Sequence, residues 1–259
     1  MVKKEKHFAL ESDMCAAFIK ALPKGWTAYA ETCSWDILLV RDADGFQIGI
    51  QAKLKFNAAV VTQCLEQYGF SADHAGPDCR AVLIPSNEQG FETICAYIGL
   101  MVITIGPEAR WSHKNKLENT YRFHPQLPTL PPNGHREWHE WLPAKRHKLP
   151  EYVPDVAAGS AAPVQLTEWK INAIKMCILL ARRGYLTRAD FKHVRMDHRR
   201  WLPGAQRWLV IADEGRCYTA GPSLPDLKAV HPKNWAEIEA DYEKWAPPEL
   251  PGMTALVAA

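Results

Sequence analysis

The sequence predicts an α/β protein in which a mixed sheet is flanked by helices, followed by a small, mainly helical second domain. Three observations predict this class. Apolar strand-like runs alternate with helical periodicity up to residue 106, a proline-rich stretch follows, and the remainder reads as helices with one strand pair. With 259 residues, the chain is long enough for two domains that each bury a core.

The N-terminal part predicts the element order α-β-β-β-α-β-α-β. Residues 8–22 carry apolar side chains at helical spacing, and Pro23 and Gly25 end this helix. The predicted elements that follow are strands at 26–32, 35–41 and 46–54, a helix at 57–70, a strand at 79–85, a helix at 88–99 and a strand at 101–106.

Residues 125–163 differ in composition from the rest of the chain. They contain eight of the 19 prolines and end in small residues. This composition predicts an interdomain linker that packs through Trp138 and Trp141 and becomes flexible near 156–162. The predicted division of the chain is therefore a first domain at 1–124, the linker at 125–163, a second domain at 164–246 and a tail at 247–259.

The sequence of the second domain predicts three helical segments followed by a strand pair. The helices are expected at 167–183, from the Thr187 cap, and at 197–209 with an interruption at Pro203 and Gly204. The strand pair is expected at 208–220 with a turn at Glu214 and Gly215, before a final helix at 234–245. This order is the outline of a winged helix, so we expect a winged-helix-like domain.

The same domain carries a concentration of positive charge. Between Arg182 and Arg207 there are eight Arg or Lys residues and only two acids. A basic, helix-rich module suits contacts with duplex phosphates, so DNA is the expected partner. The residues predicted to form this surface are Arg195, Arg199, Arg200 and Arg207, with Trp201 beside them. The alternative is a solvated basic face on a protein-docking domain.

Composition excludes several classes of protein. The net charge of +2 is too small to imply a partner by itself. The seven cysteines are scattered, odd in number and never in a CxxC pair, which predicts a reducing compartment without disulfides or a thiolate zinc site. Neither a signal peptide nor a run of roughly 18 apolar residues is found. The sequence therefore predicts a soluble, cytoplasmic protein that does not enter a membrane.

Polar residues interrupt the apolar hairpin at 34–54. If Asp44 and Gly45 form a two-residue turn, Asp36 lies across from Lys53; if the loop is 42–45, Asp36 lies across from Gln51. Both registers place these three polar side chains on one face. The other face then collects the apolar residues Trp35, Ile37, Leu39, Ile48, Ile50, Ala52 and Leu54.

An acid on the first helix adds to this group. Glu11 interrupts the apolar stripe of helix 8–22, and an acid there is costly unless it is paired or binds a metal. Oxygen ligands from Asp36, Gln51 and Glu11 suit Mg²⁺ or Mn²⁺. Such a metal acidifies a bound water and offsets charge on a phosphate, and Lys53 can orient that water. The pattern favours metal-assisted hydrolysis of phosphodiesters.

Asp36, followed after fourteen residues by Gln51-Ala52-Lys53 in an αβββαβ order, resembles the PD-(D/E)xK nuclease superfamily. The resemblance covers residues 8–106 and implies a restriction-endonuclease-like core and a metal-dependent deoxyribonuclease. On this basis Asp36 is the aspartate of the motif, Gln51 takes its D/E position, Lys53 is its lysine, and Glu11 is the acid of the first helix. The resemblance also implies accessory roles for Gln63 and Tyr68, and a homodimer where both strands are cut.

The sequence departs from this family at Gln51, which replaces a carboxylate and binds a cation less strongly. The runner-up hypothesis is therefore a catalytically inactive nuclease fold that regulates by binding DNA or protein. Asp36 and Lys53 could instead form a cross-strand ion pair. His135 and His139 have helical i, i+4 spacing but lack the glutamate of an HExxH zinc site, and we expect an amphipathic linker helix there.

Overall fold

A computed structural model describes residues 7–65, 74–86, 92–107, 120–129, 138–160, 165–202, 204, 207–212 and 217–248. The predicted α/β class is confirmed, since a mixed six-stranded sheet is flanked by helices. Contacts divide the chain into two compact units. The first comprises Met1–Leu149 and Val156–Gln165, and the second comprises Pro150–Asp155 and Leu166–Ala259.

The first unit follows the predicted element order and adds one strand at the end. Its elements are α1 (Glu11–Lys20), β1 (Trp26–Thr32), β2 (Trp35–Arg41), β3 (Gln47–Ala52), α2 (Ala58–Leu65), β4 (Cys79–Pro85), α3 (Glu92–Tyr97), β5 (Met101–Pro107) and β6 (Tyr121–His124). The sheet has strand order β1-β2-β3-β4-β5-β6, in which β3, β4 and β5 are parallel and the other neighbours are antiparallel. The short strand β6 was not predicted.

The helices cover both faces of this sheet. Met14, Cys15 and Phe18 of α1 pack on one face. Val60 and Cys64 of α2 belong to the cluster on the other face, together with Cys95 of α3. Because both faces are covered, every residue of β3 and of β4 is buried, including the polar residues Gln47, Gln51 and Arg80. The result is a three-layer arrangement with β3 and β4 at its centre.

The hairpin of β2 and β3 adopts the register with the loop at 42–45. The amide of Arg41 donates to the Phe46 carbonyl at 2.8 Å, and Val40 pairs with Gln47. The carboxylate of Asp44 accepts from both the Arg41 guanidinium and the Phe46 amide, which holds the longer loop closed. The two-residue turn at Asp44 and Gly45 is therefore wrong, and the continued register places Asp36 across from Gln51.

One apolar residue of this hairpin lies on the other face from the one predicted. Trp35 packs with Leu38 and Val82 in the cluster of α2, instead of with Ile37. Its indole fills the space above Gly49, where an added Cβ would lie 2.4 Å from the ring. The alternation of faces fails here because the regular pairing of β2 with β3 ends at Ile37.

Parts of the stretch predicted as a linker at 125–163 pack closely within the first unit. Trp138 is buried in the core of the first unit, and its Nε1 donates to the Gln126 carbonyl at 3.0 Å. Trp141 Nε1 donates to the Gly99 carbonyl at 2.9 Å. The segment near 156–160, which was predicted to be flexible, includes Ala158 with only 3% of its surface exposed. Small residues fit closely there because they can approach the backbone of a neighbouring element.

The second unit contains five helices, a 3-10 turn and one hairpin within its described residues. The elements are α4 (Glu168–Arg183), α5 (Arg188–His193), the 3-10 turn His198–Trp201, β7 (Leu209–Ala212), β8 (Cys217–Ala220), α6 (Leu227–Val230), α7 (Pro232–Ala240) and α8 (Tyr242–Trp245). Thr187 forms a capping box with Asp190 at the start of α5. Gly184 ends α4 in a left-handed conformation.

Three predictions for the second unit are wrong in detail. The helical segment expected at 197–209 is reduced to the 3-10 turn. The final helix expected at 234–245 is divided at Asp241, whose carboxylate accepts from Lys244 and Tyr152. Trp201, expected on the surface, is buried because its ring packs edge-on against Phe191 in the core of this unit. The turn at Glu214 and Gly215 lies outside the described residues.

Candidate functional site

The candidate site lies where β2 and β3 separate. Their backbone pairing ends at Ile37 and Ile50, one residue before Asp36. Beyond this point Asp36 Oδ2 accepts a hydrogen bond from the Ala52 amide at 2.7 Å. The side-chain carboxylate thus takes a position that a backbone carbonyl fills elsewhere in the ladder. The amide of Lys53 remains paired with β4 through the Leu83 carbonyl at 2.9 Å. A polar opening therefore forms at the end of otherwise apolar strands.

Two of the predicted site residues form an ion pair at this opening. Lys53 Nζ lies 2.9 Å from Glu11 Oε2, and each side chain is 30% exposed. Glu11 opens the first turn of α1, so this helix brings it to the end of β3. Burial opposes the charge on Lys53, but the hydrogen bond and charge of Glu11 and the charge of Asp36 together raise the pKa of the amine. Lys53 therefore remains protonated at neutral pH.

A further acid, Glu31, was missed in the sequence. The pairs Ala30–Ile37 and Thr32–Trp35 place Glu31 across from Asp36. Glu31 has a φ of 49° and is 9% exposed, so it is a buried acid on a strained backbone. Counting strand pairs outward from a two-residue turn at Cys33 and Ser34 would have placed Glu31 across from Asp36. Both turn residues have positive φ, as a type I′ turn requires, but neither is the glycine or asparagine that marks such turns.

The acids at this opening influence one another. Burial raises the pKa of Asp36 above its ordinary value, the Ala52 amide and Lys53 oppose this shift, and Glu11 adds to it. Burial likewise raises the pKa of Glu31, against hydrogen bonds from backbone amides and with a contribution from Asp36. Three carboxyl groups and one ammonium group thus share a partly buried space. Such a cluster of interacting, partly buried charged groups is typical of functional sites, where the reaction requires charges that are unfavourable for folding.

Gln51 is directed differently from the other predicted ligands. The residue is 1% exposed, and its Nε2 donates to the Ser34 carbonyl at 2.7 Å. Its Oε1 is buried, and within the described part of the chain it has no hydrogen-bond partner. Because an unsatisfied buried oxygen is costly, this atom is available to a further donor or to a cation.

The arrangement of possible ligand side chains bears on the predicted Mg²⁺ or Mn²⁺ site. Within the described ranges, no group of three or more His, Cys, Asp or Glu side chains is arranged to hold a metal ion. A site built from Asp36 and Gln51 would have one carboxylate and one amide, and water would complete the shell. The donors are hard oxygens, which fit Mg²⁺ or Mn²⁺ in kind.

The other predicted residues lie away from this opening or outside the described residues. Gln63 is half-buried on α2, the helix on the opposite face from α1. Tyr68 and His135 lie outside the described residues. His139 stacks edge-on against Trp141 and lines an open cavity of about 660 Å³ beside α3 and the first half of β5. That cavity lies beside β5, two strands away from β3 in the sheet.

The predicted basic surface belongs to the second unit. Arg195, Arg199, Arg200 and Arg207 are all exposed. Arg195 has a φ of 58°, in the left-handed region, at the turn after α5. Arg199 is paired with Asp197 at 3.1 Å, so part of its charge is offset, whereas Arg200 follows it in the same 3-10 turn. The side chains that carry positive charge are therefore accessible to a polyanion.

Comparison of the chain with protein-family models, with curated proteins and with solved structures finds no match. Among the helices of the described residues, none has both the length and the apolar character needed to cross a bilayer. The features of the chain that point to a function are therefore the geometry of the opening and the element order that surrounds it.

Proposed function

We propose that the protein is a divalent-metal-dependent nuclease of the PD-(D/E)xK type that hydrolyses phosphodiester bonds of DNA. The observation that carries this proposal is the convergence of Asp36, Glu11 and Lys53 at the end of β3, where β2 separates. An acid from the first helix, an acid from the second strand and a lysine after the third strand are the combination that this chemistry uses. Glu31 adds a carboxylate beside them.

The surrounding fold supports the same proposal. The order α1-β1-β2-β3-α2-β4 agrees with the αβββαβ order that the resemblance to restriction-endonuclease-like enzymes implies, and β3 and β4 are parallel strands joined through α2. The second unit has one further feature expected of a winged helix, an isolated backbone bridge from Leu186 to Tyr218 beside the hairpin of β7 and β8. It differs in its third helix, which is only the 3-10 turn at His198–Trp201.

The residues of the opening divide the catalytic work. Asp36 and Gln51 would hold the cation through their oxygens, and Glu11 would assist. The bound cation would acidify a water and offset charge on the phosphate. Lys53, whose ammonium persists at neutral pH, would donate a hydrogen bond to the attacking water or to a phosphate oxygen. Glu11, which now pairs with Lys53, would hold the amine in place before substrate binds.

The second candidate function is a catalytically silent module that binds DNA or protein. One observation favours it: the amine of Lys53 is already paired with Glu11. Incubation with plasmid, linear and branched DNA in Mg²⁺ or Mn²⁺ separates the two functions. The nuclease cuts at least one of these substrates and stops when the metal is chelated; the silent module binds without cutting.

Binding of DNA by the second unit gives its own prediction. Arg200→Ala is expected to weaken binding similarly for all DNA sequences and to reduce the slope of log K against log salt concentration by about 1, because one phosphate contact is lost. Arg199→Ala should have a smaller effect, since Asp197 already offsets its charge. Fluorescence anisotropy at several salt concentrations measures both slopes. Lys233→Ala, at an exposed position on α7, is the control; equal losses for all three variants would contradict a defined surface.

A further inference from the structure

A short segment of the chain crosses the candidate site. We call Val156–Ser160 the strap. The Gly159 amide donates to Glu31 Oε1 at 2.7 Å, and the Ser160 amide also hydrogen-bonds this carboxylate. Ala158 is buried in the core that contains α1. The strap is therefore attached both by its backbone amides and by apolar packing.

The strap approaches the site so closely that only glycine fits at its centre. A Cβ at Gly159 would lie 3.0 Å from Cys15 Sγ and 3.2 Å from the backbone carbonyl carbon of Glu11. Gly159 also has a φ of 71°, which disfavours other residues. The backbone of the strap thus lies directly against Glu11, Cys15 and Glu31, all of which belong to the opening or adjoin it.

The attachment of the strap has an electrostatic consequence. Two backbone amides point their partial positive charge at Glu31, which sits among other acids. A divalent cation would supply the same compensation to the same oxygens. The Gly159 amide already occupies Glu31 Oε1, so a cation that takes this oxygen competes with that hydrogen bond.

We propose that the strap is an autoinhibitory cover of the candidate active site, closed on Glu31 in this structure and released when a divalent cation takes that carboxylate. The regulated reaction rests on the proposed nuclease function, but closure and release of the strap do not. In the closed state the strap shields Cys15 and limits access to Glu11. In the open state both become accessible to solvent.

The test uses Gly159→Ala in the full-length protein. The added methyl group would lie 3.0 Å from Cys15 Sγ on a backbone whose φ of 71° is strained for alanine, so the strap should open. We expect labelling of Cys15 by a maleimide, followed by peptide mass spectrometry, to accelerate about tenfold or more, as loss of a charge-assisted hydrogen bond implies. Mn²⁺ should bind about tenfold more tightly by calorimetry. Mn²⁺ should also accelerate Cys15 labelling in the unmodified protein.

A matched control is Gly25→Ala, because Gly25 also has positive φ but nothing lies within 4 Å of its added Cβ. It should label like the unmodified protein. Glu31→Gln removes the charge that attracts the amides and should also expose Cys15. This second variant tests the strap independently if Gly159→Ala does not fold. Circular dichroism confirms that each variant is folded.

The outcomes distinguish the two proposals. Unchanged Cys15 labelling in both Gly159→Ala and Glu31→Gln overturns the strap. Faster labelling without tighter Mn²⁺ binding in Gly159→Ala overturns its autoinhibitory role, because the cover would then not compete with the cation. Faster labelling with tighter Mn²⁺ binding but no cleavage of any DNA supports the strap and refutes the nuclease. Cleavage that exceeds that of the unmodified protein supports both.

Discussion

Replacement of Lys53 by alanine is expected to lower metal-dependent DNA cleavage by about 10²–10³-fold, the cost of removing one positioned donor from a developing negative charge. The amine lies 2.9 Å from Glu11 at the end of β3 and stays protonated because its pKa is raised. No other lysine is held at this opening among the described residues. Initial rates of plasmid cleavage in Mg²⁺ and in Mn²⁺ measure the effect.

The same variant should remain folded and should still bind DNA. Lys53 and Glu11 are each 30% exposed, and a partly exposed ion pair contributes only about 0–1 kcal/mol. Lys55→Ala is the matched control, since this exposed lysine lies two residues away. Cleavage at the same rate in the Lys53→Ala and Lys55→Ala proteins would remove Lys53 from the mechanism.

Replacement of Asp36 by asparagine is expected to abolish cleavage and, at neutral pH, to stabilise the protein. The loss of cleavage follows because an amide is a poorer ligand than a carboxylate, and Gln51 already supplies one amide. The gain in stability follows because burial raises the pKa of Asp36, so its charged form is costly in the folded state. An asparagine oxygen can still accept the hydrogen bond from Ala52.

This gain in stability should depend on pH in a defined direction. A carboxyl group whose pKa is raised in the folded state adds most to the free energy of unfolding at a pH below its ordinary pKa. This stabilisation is lost as the pH rises through the raised pKa. The advantage of Asp36→Asn is therefore smallest near pH 4, close to the ordinary pKa of about 3.9, and grows as the pH is raised toward about pH 8.

Thermal unfolding across this range is the measurement. Each ~1 kcal/mol corresponds to about 2–4 °C for a domain of this size. Asp42→Asn, at an exposed position in the hairpin loop, is the control and should not show the same trend. A variant that is less stable than the unmodified protein at neutral pH would show that Asp36 is held by favourable interactions, and would contradict a site that keeps unfavourable charge for function.

Local pattern was sufficient for much of the first unit. The apolar runs of β2 and β4 identify these strands, because a strand buried on both faces needs consecutive apolar residues. Pro23 and Gly25 correctly mark where α1 has ended. In the second unit, Thr187 and Gly184 mark the start of α5 and the end of α4 through capping, which depends on only a few neighbouring residues.

Two errors show where pattern fails. Trp35 was assigned by strict alternation, but the pairing of β2 ends at Ile37, and the large indole is accommodated above Gly49. Trp201 was placed beside surface arginines, but its ring completes the core against Phe191. In both cases the burial of a large aromatic ring outweighs the local pattern, because the free energy gained by burying the ring exceeds the cost of departing from that pattern.

The sequence alone determined the α/β class of the first unit, its strand order along the chain, and Asp36, Gln51, Lys53 and Glu11 as candidates. Only the tertiary structure decided that Lys53 pairs with Glu11, that Glu31 faces Asp36, and that Gly159 closes on Glu31 from 128 positions away. Periodicity and turn chemistry act between neighbouring residues and can be read along the chain. Which charged groups meet depends on how the packed elements exclude water, because a buried charge then relies on specific hydrogen bonds in place of hydration. This is a property of the whole fold.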